Sequence, residues 1–161
     1  MSVFPIDPLL PELCARLLDA GTLILQAPPG AGKTTRVPLA LMGELGATSC
    51  LKGRILLIEP RRLAARAAAT RLAQSIGEPL GHRVGYSVRN EQKRSAYTHV
   101  EAITDGLFLR RLQSQPDLPG VDCVIFDEFH ERRRDSDVAL ALLRESRRIL
   151  RPDLKVLLMS A

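Results

Sequence analysis

Residues 27–34 read Ala27-Pro-Pro-Gly-Ala-Gly-Lys-Thr34 and run directly into a helical pattern. Gly30 and Gly32 let the backbone N–H groups of this stretch, that of Ala31 among them, turn inward around phosphate oxygens, and the amino end of the next helix adds its dipole. Lys33 then reaches the β and γ phosphates. The Thr34 hydroxyl is placed for Mg²⁺, with Thr35 one helical step further on. A glycine pair ahead of a helix is often a mere turn, but Lys-Thr at this offset makes the phosphate reading the stronger one. Ala27 stands where the general pattern has its first glycine, a change compatible with the end of a strand.

Triphosphate hydrolysis needs a second group of residues, because Mg²⁺ must be held and a water oriented for in-line attack. Asp127-Glu128-Phe129-His130 meets that need at the end of the apolar run 121–126. A strand there delivers Asp127 to the carboxyl edge of a sheet, where ligands of open α/β folds bind. Asp127 is assigned to Mg²⁺ and Glu128 to the attacking water. Two carboxylates after a strand can also be a solvated turn. Downstream of a phosphate loop, the catalytic reading is favoured. For His130 the residues alone leave a capping or packing role and a functional one equally open.

The elements that must position these groups follow from apolar patterning. Residues 9–20 read as a first helix, with Leu10, Leu13, Leu17 and Leu18 on one stripe and Gly21 closing it. The short runs 22–27, 54–59, 121–126 and 154–159 are rich in Leu, Ile and Val, as strands buried on both faces of a parallel sheet are. Helical patterns at 33–45, 63–76, 106–113 and 137–150 alternate with them, weaker strands are expected at 83–88 and 99–104, and loops at 46–53 and 115–120. The fold class is therefore α/β, a doubly wound, mainly parallel sheet with helices on both faces.

Composition narrows the function classes. The chain has 161 residues, 45% hydrophobic and 25% charged, which suits one domain. Its longest apolar run, 138–143, falls far short of the roughly 20 residues of a membrane span. No export signal is visible at the amino terminus, so a cytoplasmic protein with no membrane partner is expected. Cys14, Cys50 and Cys123 form no close pair, which disfavours a disulfide framework or a cysteine zinc site, and each reads as a small buried residue. The net charge of +5, with 19 arginines among 23 basic residues, suits a polyanion. Six aromatic residues and no tryptophan disfavour recognition by a sheet of stacked rings, so binding would run through the backbone.

Taken together the motifs resemble the DEAH-box helicases of superfamily two, most closely the bacterial HrpB-type branch, along nearly the whole chain. Residues 27–35 resemble motif I. Glu59-Pro-Arg-Arg-Leu-Ala-Ala65 resembles motif Ia, Thr104-Asp-Gly-Leu-Phe-Leu-Arg110 motif Ib, and Asp127-Glu-Phe-His-Glu-Arg132 motif II. Val84-Gly-Tyr-Ser-Val-Arg89 resembles the stretch ahead of motif Ib. Phe129 replaces the alanine of the family name, and Glu59 replaces a residue that is polar and uncharged in many relatives. Neither departure is expected to touch the metal or the phosphates. Ser160-Ala161 resembles motif III cut before its threonine.

The resemblance implies a RecA-like ATP-binding domain, residues 1–161, of an ATP-dependent helicase that moves on single-stranded nucleic acid, RNA by resemblance alone. It implies that ATP or another NTP and Mg²⁺ are the cofactors, that His130 links the nucleotide site to the nucleic-acid path, and that Arg71 stacks on adenine. Arg61, Arg62 and Thr104 are implied to contact the strand backbone. The second RecA-like domain, required for activity, is expected to be missing, leaving this chain nearly inactive. On a regular helix Arg62 and Arg66 share a face and Arg71 points away. Arg133 and Arg134 read as a charged loop. A nucleotide-dependent switch without motor action is the main rival, and a small P-loop kinase another.

Overall fold

The structure, a computed structural model, describes residues 3–46 and 51–161. Cys50 and part of the loop expected at 46–53 lie outside the described residues. The rest form one seven-stranded sheet in the order β1-β7-β6-β2-β5-β3-β4. Its strands are β1 (Thr22–Gln26), β2 (Arg54–Glu59), β3 (Val84–Val88), β4 (Glu91–Lys93), β5 (Val100–Thr104), β6 (Val121–Phe126) and β7 (Lys155–Ser160). All pairings are parallel except β3 with β4.

Helices α1 (Leu10–Ala20), α2 (Lys33–Leu41) and α3 (Arg62–Ser75) cover one face. There Ile55, Leu57, Cys123, Ile125 and Leu157 meet Leu13, Val37 and Leu72. Helices α4 (Asp105–Ser114) and α5 (Arg134–Ile149) cover the other, where Leu56, Ile58, Val124 and Phe126 meet Phe108, Leu112 and Leu143. Successive apolar residues in the middle of β2 and β6 thus feed opposite layers, which is why both read as near-continuous apolar runs. Phe108 stands edge-on to Phe126 at 6.0 Å in the second layer. The α/β reading holds, and Cys14 and Cys123 are buried.

Three expectations need correction. β1 is an edge strand rather than one buried on both faces: Ile24 is 70% exposed, because no described helix covers that side of it. Helix α2 stops at Leu41 instead of 45, where the N–H of Met42 bonds to the carbonyl of Pro38 and Gly43 turns the chain at φ 89°. Leu45, which extended the apolar period, packs on the core from outside the helix. Helix α5 begins three residues early, at Arg134. Its first turn carries Asp135 and Asp137, which suit the helix dipole but add no apolar period.

Candidate functional site

β1 ends at Gln26 and α2 begins at Lys33, so residues 27–32 form a loop at the carboxyl edge of the sheet. Gly30 and Gly32 have φ of 80° and 96°, the left-handed region that glycine enters without strain. A Cβ on Gly30 would meet nothing within 4 Å, so that backbone is open to a ligand, whereas one on Gly32 would strike Phe4 at 2.9 Å. Lys33 is buried, and its ammonium donates to the carbonyls of Ala27 and, at 3.1 Å, Pro28. The Thr35 hydroxyl donates to the Gly32 carbonyl at 3.3 Å.

The amino-terminal residues brace this loop, a contribution that apolar patterning gave no hint of. Ile6 N–H bonds to the Ala31 carbonyl at 3.1 Å. Arg36 of α2 grips Asp7 through two hydrogen bonds of 2.6 and 3.0 Å and lies over the Phe4 ring. That grip holds the Asp7 carboxyl below the usual carboxylate range, against the opposing effect of its burial.

β7 lies between β1 and β6, yet the two motifs touch. Thr34 Oγ1 donates to Asp127 Oδ2 at 2.6 Å. Asp127 is itself buried, with its N–H on the Ile58 carbonyl at 3.0 Å. A hydroxyl and a carboxylate oxygen converging beside a phosphate loop are the hard donors that Mg²⁺ takes when phosphates and waters complete its shell. The donor set therefore fits the ion. Among the described residues no cluster of three His, Cys, Asp or Glu side chains is arranged to bind a metal unaided.

Glu128 has φ 53° and ψ 35°, and Arg132 has φ 50°, so left-handed residues flank the 3₁₀ turn Phe129–Glu131. Non-glycine residues rarely sit there, and the turn was not foreseen. It sets His130 Nε2 at 3.3 Å from Glu128 Oε2. His130 Nδ1 accepts the Ala161 N–H at 3.2 Å, so the proton belongs on Nε2, toward Glu128. The Ser160 carbonyl accepts the Ala27 N–H at 3.2 Å. The end of β7 is thereby tied to both the loop and the Asp-Glu turn. Phe129 packs edge-on against Phe126 at 5.8 Å, an anchor that alanine would not supply.

Glu59 departs from the expectation that it stands clear of the metal site. It is 3% exposed at the end of β2, in contact with Asp127, and its Oε1 has no hydrogen-bond partner among the described residues. Burial, followed by the charge and contact of Asp127 and then the charge of Glu128, pushes its pKa from 4.5 up to about 10. The charge of Arg71, exposed on α3, pulls the other way. The only sequence signal was a carboxylate closing an otherwise apolar strand.

Beyond this site, Arg61, Arg62 and Thr104 line a groove of about 520 Å³ together with Arg89, Arg110 and Arg133. Arg61 stands at the N-cap position of α3, and Thr104 at that of α4. Motifs Ia and Ib are thus brought together as expected. Arg133, read as part of a charged loop, instead joins the groove and pairs with Asp105 at 2.7 Å. Arg66 turns aside to Glu91 at 3.3 Å and the Tyr86 ring.

A parallel sheet carrying a glycine loop after its edge strand and an Asp-Glu turn two strands away defines a RecA-like α/β domain. A profile of the DEAD/DEAH box helicase family matches residues 11–161, and the chain belongs to that family. It is 47% identical over all 161 residues to the ATP-dependent RNA helicase HrpB of Escherichia coli (strain K12), of which it covers 19%. It is 40% identical over 144 residues to the DExH-box ATP-dependent RNA helicase DExH1 of Arabidopsis thaliana, covering 86% of this chain and 14% of that one. The crystal structure of the Escherichia coli DEAH/RHA helicase HrpB superposes with a TM-score of 0.92 at 46% identity, over 99% of this chain and 20% of the other. The chain spans about a fifth or less of the length of these relatives. None of its described helices is long and apolar enough to cross a membrane.

Proposed function

We propose that the chain is the first RecA-like, ATP-binding domain of a cytoplasmic ATP-dependent RNA helicase, in which NTP hydrolysis drives movement along a single strand. The observation that carries this reading is the 2.6 Å contact of Thr34 with Asp127 beside the Lys33 loop, next to an arginine-lined groove. The names of the relatives, ATP-dependent RNA helicases, support RNA as the partner.

In this reading the N–H groups of Gly30, Ala31 and Gly32 cradle the phosphates. Lys33 exchanges its loop carbonyls for phosphate oxygens, and Thr35 keeps the loop closed on Gly32. Thr34 and Asp127 would hold Mg²⁺, which would supply neutralisation of phosphate charge. Glu128 orients and deprotonates the attacking water. His130, hydrogen-bonded to both Glu128 and the end of β7, fixes that carboxylate and links it to the strand path. Arg71 offers its guanidinium plane to the adenine. Arg61, Arg62 and Thr104 hold strand phosphates, contacts that position without reading sequence.

A second RecA-like domain completes the site in the longer protein. Arginines supplied across such a cleft are worth on the order of 10³ to 10⁵ in turnover. The 161-residue chain is therefore expected to release phosphate near background with saturating RNA, and to gain activity when the second domain is fused or added. Robust RNA-stimulated hydrolysis by this chain alone would overturn the two-domain reading.

A further inference from the structure

The groove arginines are not equally available to an anion. Among the described residues Arg62, Arg89 and Arg110 make no ion pair, whereas Arg61 is held by motif II. Its two terminal nitrogens bond to the two carboxylate oxygens of Glu131 at 3.2 and 3.1 Å. The Arg61 side chain, which lines the groove, is 62% exposed, and that of Glu131 is 27% exposed. The backbone of Glu131 is fixed, because its N–H bonds to the Glu128 carbonyl at 3.0 Å within the turn bounded by left-handed Glu128 and Arg132.

A guanidinium offers its paired donors to one carboxylate or one phosphate at a time. We propose that Glu131 is an internal competitor for Arg61: a strand phosphate must displace it, so this motif II carboxylate lowers the affinity of the groove for single-stranded nucleic acid. The inference rests on the strand-binding reading of the groove and adds a residue that opposes it. Competition differs from plain repulsion by an acid near the groove. Asp135 supplies the comparison, as it lines the same groove and, among the described residues, makes no ion pair.

The test is fluorescence anisotropy of a labelled oligouridylate of about 12 nucleotides, titrated at low and rising salt with the 161-residue chain. Circular dichroism would check that each variant is folded. Wild type should bind at low salt, and Arg61→Ala should bind several-fold more weakly. Glu131→Gln and Glu131→Ala should each bind roughly two- to ten-fold more tightly, the scale of releasing an exposed ion pair and removing one nearby charge. Asp135→Asn should gain much less. Unchanged or weaker binding by both Glu131 variants, or an equal gain in Asp135→Asn, would overturn the competition while leaving the groove reading intact. Absence of binding in wild type and all variants would overturn both.

Discussion

Replacing Glu59 by glutamine tests whether a neutral acid sits against Asp127. In the folded chain Glu59 has a pKa raised from 4.5 to about 10, with burial the largest cause and Asp127 the next. Between those values the folded state holds a proton that the unfolded chain has lost. A group raised on folding contributes stability fully below the unfolded value, and that contribution is lost as pH rises toward the folded one. Wild-type stability should therefore fall with pH across this window, by about 1.4 kcal/mol per unit from this group alone. Glutamine fills the same space, donates to Asp127 and does not titrate. The stability of Glu59→Gln relative to wild type should thus rise by about 3 kcal/mol from pH 6 to pH 8. Urea denaturation of both proteins in EDTA at pH 6, 7 and 8 measures this difference directly. A difference constant across the three pH values would refute the reasoning, because it would mean that Glu59 is ionised in the fold.

Three further outcomes are expected. Glu128→Gln should leave nucleotide binding intact and block hydrolysis in a version carrying the second domain, since the amide keeps the shape but cannot accept the water's proton; equal phosphate release by the two would remove the assignment. Arg61→Ala should weaken strand binding by the same factor for oligonucleotides of different sequence, as a phosphate contact does; a sequence-selective loss in anisotropy would indicate base readout. Phe108→Ala should cost about 3–5 kcal/mol in urea denaturation, because the ring is fully buried against Phe126; a cost under about 1 kcal/mol would mean that this layer repacks.

The parts of the molecule legible in the sequence were those where one physical demand acts alone. β2 and β6 match the expected bounds residue for residue, because the apolar residues along them enter one or the other of the two apolar layers. The meeting of Thr34 and Asp127 beside the Lys33 loop was legible because the chemistry expected of a phosphate and metal site allows few residue types at fixed spacing. β4, Glu-Gln-Lys, was missed because an antiparallel edge strand exposed to water needs no apolar residue. Glu59 was set aside because its environment is built from β6, which joins β2 only through the sheet. The pairs Asp7–Arg36 and Arg61–Glu131 span 29 and 70 positions, and no local pattern marks them. The resemblance, in turn, carried Arg61, Arg62 and Thr104 to one groove before any distance was known.

Everything proposed for this domain depends on Thr34, Asp127 and Lys33 acting as one Mg²⁺-nucleotide site. The most direct test is titration of a fluorescent ATP analogue into the 161-residue chain, in Mg²⁺ and in EDTA, beside Lys33→Ala. Saturable binding in Mg²⁺, weakened by at least about ten-fold in EDTA and abolished in Lys33→Ala, is the predicted result. Binding of equal strength in all three conditions, or none in any, would contradict the account.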